Sequence, residues 1–416
     1  MPTESLQPPI PELTSRAVAL WNECGDVRPP SGRTYGRREK KIHEHALARF
    51  VRDIRAETDH IPKSKFDADG VRKRLMSAFE TFARRALDWQ DRHVQVLLSG
   101  KFEGAAADFL REARSFEPSV GSGDVFQACR NVWVANGLQT LLGLPVRLTP
   151  AIFAYSMLYP YTDNYLDDAS VAEDTKAAFN GRFRLRLEGR PAEPANSHEK
   201  RIFDLVSIIE RDFDRARFPQ VFASLLAIHE AQVKSLRLLR PGAPASDPDV
   251  LAIVLEKGGT SVIADGCLVA GSLNPNEAEF LFGFGAFLQM MDDQEDVFED
   301  RKAGLSTVFS RAAGNGPLDR LADHLLCFGR RVLEGLKDFG VPGAEPLREL
   351  ITSSLLQGVV SSAGRTRGLY SRAYWKKLEA QSPHRFSASD RQRRKLERRR
   401  ALLGRLFEVL AFPPSE

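Results

Sequence analysis

Asn274-Pro-Asn-Glu277-Ala-Glu-Phe280-Leu-Phe-Gly-Phe284-Gly-Ala-Phe287-Leu-Gln-Met-Met-Asp292-Asp293-Gln-Glu-Asp296-Val-Phe-Glu299-Asp300 is the stretch on which the reading of this chain turns. It opens with an asparagine cap, a proline at the first helical position and Glu277 three residues on, the pattern of a capping box. A largely apolar run from Leu281 to Met291 follows, and the segment closes on acids. Asp292, Asp296 and Glu299 stand at offsets of four and seven, so they share one helix face, with Asp293 beside them. Carboxylates crowded at the end of an apolar helix repel one another and lose hydration, and a cation relieves both costs.

A second segment repeats the design. Leu148-Thr149-Pro150-Ala-Ile-Phe153-Ala-Tyr155-Ser-Met-Leu-Tyr-Pro160-Tyr-Thr-Asp163-Asn164-Tyr-Leu-Asp167-Asp168 begins with a threonine cap and a proline, then ends in acids. Asp163 and Asp167 are one helical turn apart, with Cβ atoms about 6 Å from each other. Pro160 is expected to kink the helix just before them. One such cluster reads easily as a solvated helix end; two, each closing a proline-started apolar helix, favour a cation site over that reading. Oxygen donors without His or Cys point to a hard ion, Mg²⁺ first, and the usual partner of protein-bound Mg²⁺ is a substrate phosphate.

Apolar residues recur at three- and four-residue intervals nearly everywhere outward from these segments, as in 41–56, 71–96, 202–215, 221–239 and 321–339. Alternating β-branched runs are almost absent, so the chain reads as all-α. Its interruptions are short and rich in Pro or Gly, such as Pro29-Pro30-Ser-Gly32 and Gly314-Asn-Gly-Pro317. The expected organisation is a tail over 1–30, one large helical domain over 31–380 and a basic helical extension over 381–416.

Composition excludes other classes. With 43% hydrophobic and 27% charged residues among 416, the chain is an ordinary globular one and not a disordered one. Cys24, Cys129, Cys267 and Cys327 are scattered, so neither a disulfide framework nor a cysteine zinc site is expected. No apolar stretch is long enough to span a bilayer, and the opening Met1-Pro-Thr-Glu lacks a signal peptide's basic start and apolar core. A cytoplasmic location is expected. The net charge of +4 is smaller than that of one segment, 391–400, which holds six Arg and one Lys against one Glu. Leu396, Leu403 and Leu406 recur at helical offsets there, which favours a solvated helix face over a patch for anionic lipid. Without interleaved aromatics, nucleic acid is not an expected partner. His43 and His45, two apart on a helix, point to different faces and are expected to be solvated.

The motifs resemble those of the type I isoprenoid synthases. Gly283-Phe-Gly-Ala-Phe-Leu-Gln289-Met-Met-Asp292-Asp293-Gln-Glu-Asp296 is similar to their second aspartate-rich helix, and Asp163-Asn-Tyr-Leu-Asp167-Asp168 to a variant of the first. Between them, Glu256-Lys257-Gly-Gly-Thr-Ser-Val-Ile-Ala-Asp265-Gly resembles the polyprenyl-synthase segment that carries a diphosphate-binding lysine. The order of the three segments matches as well. Within that group the closest likeness is to the large-terpene synthases, the tetraprenyl-β-curcumene synthase group.

The resemblance implies a helical bundle around a central apolar cavity, with Mg²⁺ between opposed carboxylate helices and a prenyl diphosphate as substrate. Asp163, Asp167, Asp292 and Asp296 are the principal metal ligands under it, with Asp168, Asp293 and Glu299 in reserve. Lys257 would add a point charge to the diphosphate, and Arg365, Arg367 or Arg372 would close over it. Phe153, Tyr155, Phe284 and Phe287 are candidates to line the cavity and face a carbocation, plain core packing being the alternative for each. Departures narrow the reaction. Asp168 is followed by Ala-Ser-Val-Ala-Glu-Asp, not by the arginine pair that binds isopentenyl diphosphate in chain-elongating enzymes. The first motif opens Asp-Asn, and the Asn, Ser and Glu pattern of terpene cyclases is missing from the second. The expected activity is ionisation of one prenyl diphosphate followed by cyclisation or quenching. Chain elongation or head-to-head condensation is the alternative, and a non-enzymatic helical protein docking on membranes by its basic end is a third. A homodimer is compatible with the resemblance.

Overall fold

The computed structural model describes residues 9–25, 32–98, 100–167, 171–239 and 246–411, and every regular element within them is helical. The all-α expectation holds. Helix α1 (Ile10–Glu23) is followed by α2 (Arg37–Asp59), α3 (Lys65–Ala86), α4 (Asp91–Leu97), α5 (Lys101–Phe116) and α6 (Ser122–Leu141). Next come α7 (Pro150–Asp167), α8 (Glu173–Leu187), α9 (Ser197–Asp212), α10 (Pro219–Ser235) and α11 (Asp247–Ala270). They lead into α12 (Pro275–Glu295), α13 (Val297–Ala303), α14 (Val308–Ala312) and α15 (Asp319–Leu333). The order ends with α16 (Glu345–Arg365), α17 (Arg372–Gln381), α18 (Phe386–Glu397) and α19 (Arg400–Ala411).

Two compact units divide these helices. Met1–Pro29, Val134–Pro145 and Thr149–Ala344 form the first; Pro30–Trp133, Val146–Leu148 and Glu345–Glu416 form the second. The span read as a leading tail contains α1, whose Leu13, Ala17 and Trp21 repeat every fourth residue and are buried. The span read as a C-terminal extension contributes α18 and α19 to the second unit, where Phe386 and Leu406 are buried.

In the first unit the acid-bearing helices start as their sequences predict. The Thr149 hydroxyl accepts from the Ile152 N–H (3.1 Å). The Asn274 side chain accepts from Asn276 and Glu277, and Glu277 accepts from the Asn274 N–H in return. α7 runs through Pro160 to Asp167 without ending. It pairs antiparallel with α9: the Ala151 N–H donates to Asp212, while His198 Nε2 bonds the Tyr161 carbonyl at 2.8 Å.

α11 is the hub. It lies antiparallel to α10, with Gln220 accepting from the Leu273 N–H at one end and Lys234 paired with Glu256 (2.7 Å) at the other. Against α12 it comes closer still. A Cβ placed on Gly258 would sit 2.4 Å from the Gly285 carbonyl oxygen and 2.5 Å from Gln289 Cβ, and one on Gly285 would sit 2.1 Å from the Gly258 oxygen. Gly259 likewise accepts the ring of Phe282, and Gly266 the side chain of Leu281. These glycines let two backbones touch where any other residue would hold them apart. Phe287, on another face of α12, fills the space over Gly329 of α15. α1 caps the same region, with Trp21 stacked on His324 at 3.9 Å.

The second unit is held by an aromatic cluster and by ion pairs. Phe50 of α2 stacks on Phe82 of α3 at 4.7 Å. Arg385 grips Glu44 through its Nε (2.8 Å) and Nη2, and Arg399 reaches Thr58 (2.9 Å) and Asp59. Arg393 and Arg394 pair with Asp390. Several charges of the basic segment are therefore engaged in ion pairs within the second unit.

The Gly258–Gly285 contact yields a stability prediction. Gly258→Ala gains about 1 kcal/mol of helix propensity but loses about 1–3 kcal/mol or more to overpacking, so the protein should be destabilised. Gly181→Ala in α8, where an added Cβ meets nothing within 4 Å, should be stabilising by about 0.5–1 kcal/mol. Denaturant unfolding of both variants decides the matter; a Gly258→Ala protein as stable as wild type would mean that α11 and α12 do not touch there.

Candidate acidic site

The close approach of α11 and α12 sets the register of the site. Gly258 lies against Gly285 and Gln289, which puts Lys257, the preceding residue, near the acidic end of α12, where its charge acts on Asp293. Helical side chains lean toward the helix N-terminus, so Lys257 leans along α11 toward that acidic end. The Gly258-Gly259 pair does not break the helix: α11 continues through it, and Lys257 is half-buried. Among the described residues its ammonium makes no hydrogen bond or ion pair.

Asp293 is the unusual member of the cluster. It is 4% exposed, and Gln289 donates to its Oδ1 at 2.9 Å. Its Oδ2 is buried with no hydrogen-bond partner. Burial pushes its carboxyl up to about 8; the Gln289 hydrogen bond opposes this, Asp300 and Asp292 add to it, and Lys257 opposes it. Asp300 is half-buried and is pushed up to about 6, first by burial, against a hydrogen bond from Thr307 (3.2 Å). Asp296, Asp292 and Glu299 push it further the same way. Asp292 and Glu299 are exposed and Asp296 is half-buried, so the cluster has a buried floor and an open rim. The helical hydrogen bonds from Asp296 N–H to the Asp292 carbonyl (2.9 Å) and from Asp300 N–H to the Asp296 carbonyl (2.8 Å) keep α12 and α13 nearly continuous.

The first acid segment is tied to the second through α10 and α11. Gln232 of α10 donates to Asp163 Oδ1 (3.1 Å), Lys234 of α10 pairs with Glu256, and the next residue, Lys257, acts on Asp293. Tyr155 of α7 also donates to the Ser261 carbonyl of α11 (3.2 Å). Asp163 is half-buried and Asp167 ends α7, whereas Asp168 lies outside the described residues. Gln232, Gln289 and Asp300 are additions that sequence reasoning passed over. Asp300 was within reach, since it continues the four-residue spacing of Asp292 and Asp296. Nothing in the sequence marks Gln232.

The aromatic candidates are packed against other side chains of the first unit. Phe287 is fully buried over Gly329 and near Phe328 (6.4 Å). Phe284 stacks on Phe280 (5.6 Å), which meets Phe339 edge-on. Both serve as core packing. Phe153 is buried in α7. Two pockets of the first unit lie elsewhere. One of ≈ 740 Å³ is bounded by Trp21, Leu251 and Leu321, and one of ≈ 450 Å³ by Leu141, Asn274 and Phe339. Arg365, Arg367 and Arg372 belong to the second unit, where Arg365 donates to Ser362 (2.9 Å) and Arg367 lies 5.0 Å from the Trp375 ring.

Carboxylate donors with an orphaned buried oxygen fit a hard cation, which would be held through one or two carboxylates with water or phosphate completing its shell. Among the described residues, the one group of ligand atoms converging within 4.8 Å lies elsewhere: Glu39, His43 and Asp88 in the second unit. His43, expected to be solvated, is 4% exposed, because α2 turns it inward beneath Pro383.

Asp293 sets a pH dependence. Its carboxyl titrates near 3.9 when unfolded and near 8 when folded. The folded state therefore binds the proton more tightly, and stability falls as pH rises from about 4 to 8, by at most about 1.4 kcal/mol per pH unit. Asp293→Asn removes this cost. With a chelator present, the variant should be more stable than wild type by about 2–4 kcal/mol at pH 7.5, and by under about 1 kcal/mol at pH 4.5. Unfolding at the two pH values measures it; an Asn variant less stable at pH 7.5 would mean that a partner holds the carboxylate ionised.

No family model matches the chain, and no curated protein matches it. Among solved structures, the crystal structure of a geranylgeranyl pyrophosphate synthase is similar at 15% identity with a TM-score of 0.32, over 76% of this chain and 99% of that one. A superposition this loose fixes neither family nor activity.

Proposed function

We propose that the first unit is a Mg²⁺-dependent enzyme acting on a prenyl diphosphate. The observation that carries this reading is the pairing of a buried, half-satisfied Asp293 with an unpaired Lys257 at the rim of an acid cluster. Such a floor is costly while empty and is relieved by a cation with its own anionic partner. Bound there, Mg²⁺ would stabilise the diphosphate as a leaving group. Asp163, Asp167, Asp292 and Asp296 supply the carboxylates, with Asp168, Asp293, Glu299 and Asp300 behind them. Gln232 and Gln289 orient Asp163 and Asp293 by donating to one oxygen of each. Lys257 offers an ammonium to a phosphate oxygen. A hydrocarbon chain would need an apolar space beside these acids, and α7, α11 and α12 carry the apolar residues that could border it.

The fate of the allylic cation separates two readings. The lack of an arginine pair after Asp168 favours cyclisation or capture by water. The unpaired ammonium of Lys257 suits transfer to a second prenyl diphosphate equally well. One assay covers both: prenyl diphosphates of about ten to thirty-five carbons with Mg²⁺, with and without isopentenyl diphosphate. Diphosphate release with hydrocarbon or alcohol products marks the first reading, and a longer diphosphate marks the second. Asp292→Ala should lower turnover by about 100-fold or more, an effect of several kcal/mol on the barrier, with helix content unchanged by circular dichroism. Full turnover in that variant would contradict the ligand assignment.

A further inference from the structure

The second unit holds a cluster of a different kind. Glu39 and His43 stand one turn apart on α2, and Asp88 follows the end of α3. His43 Nδ1 lies 3.2 Å from the Pro383 carbonyl oxygen, and a carbonyl can only accept, so Nδ1 carries the proton. In a neutral ring Nε2 is then left with its lone pair, and it faces Asp88 Oδ1 at 3.4 Å. A lone pair against a carboxylate oxygen requires a positive charge between or upon them. An Nδ1–H to carbonyl bond is also how metal-ligating histidines are commonly oriented.

Asp88 completes the cluster from the turn after α3. Its φ of 58° is the one positive value among the described non-glycine residues, and such a conformation costs about 1 kcal/mol or more. In this conformation its carboxylate lies against the His43 ring. Arg33 holds the other oxygen of Asp88 (2.9 Å) and one oxygen of Glu39, so one guanidinium faces two carboxylates and the cluster stays net negative. The second Glu39 oxygen accepts from the Gly36 N–H (3.1 Å). Tyr35 meets the His43 ring edge-on at 5.6 Å and His384 lies 6.1 Å away, its buried Nε2 lacking a hydrogen-bond partner. Around tetrahedral zinc, ligand atoms about 2.0–2.1 Å from the ion stand about 3.3 Å apart, close to the observed 3.4 Å.

We propose that Glu39, His43 and Asp88 bind a zinc-type divalent cation that joins the start of α2 to the turn after α3. Imidazole with carboxylates suits zinc better than magnesium, so this site is chemically distinct from the acid helices of the first unit.

The test is zinc binding by the chelator-stripped full chain, read in competition with a chromophoric chelator. Wild type should retain one Zn²⁺ at submicromolar free metal and should melt several degrees higher with it. Cobalt should give the visible absorption of a four- or five-coordinate ion with a nitrogen ligand. Asp88→Gly removes a ligand and relieves the left-handed backbone, so it should fold and still lose at least about 100-fold in affinity. His43→Gln should lose as much, and Asp292→Ala should bind Zn²⁺ at this site as wild type does. Failure of wild type to hold Zn²⁺, or equal binding by Asp88→Gly and His43→Gln, overturns the proposal and leaves a protonated His43 paired with Asp88. Neither result depends on turnover of any diphosphate.

Discussion

The backbone contact between Gly258 and Gly285 governs the first unit. Helices normally pack 8–10 Å apart because side chains separate them; here the two residues facing each other at the closest point, Gly258 and Gly285, are both glycines. Once α11 and α12 touch, their relative register is fixed to within a fraction of a turn. Lys257 is then held beside the acids of α12, and the apolar faces on either side of the glycines must find other partners. Phe282 finds Gly259 and Phe287 finds Gly329, so small residues opposite large ones carry the packing outward in both directions. Electrostatics at the end of α12 therefore follows from sterics in its middle.

That electrostatic arrangement is unfavourable by itself. A carboxyl with one buried oxygen unsatisfied destabilises the fold at neutral pH. Stability given up at one place in an otherwise well-packed helix pair is what a binding site looks like before its ligand arrives. The rim acids, by contrast, remain hydrated and cost little while empty.

Much of this was legible in the sequence, for physical reasons that differ from residue to residue. Asn274 and Thr149 announce helix starts because capping is local: donor and acceptor lie within three residues of each other. The acid spacing is legible for the same reason. Long-range packing is not. The Gly-Gly at 258–259 reads as a break when α12 is out of view, and as a contact once Gly285 and Phe282 lie across from it. From their positions upstream of the acids, Phe284 and Phe287 read as cavity lining or core packing alike, and only the partners Phe280 and Gly329 show which way they face. His43 reads as solvated because His45, two residues on, points to a different face of the same helix. What buries it is a loop more than three hundred residues away in the chain.

In the proposed reaction Asp163 and Asp292 serve one metal-bound polyanion. Crystals grown with Mn²⁺ and inorganic diphosphate, with anomalous data collected near the manganese edge, test this most directly. Manganese peaks bridging the diphosphate to Asp163 on one side and to Asp292 or Asp296 on the other are the predicted result. Manganese on one acid segment alone, with no diphosphate between the two, would contradict it.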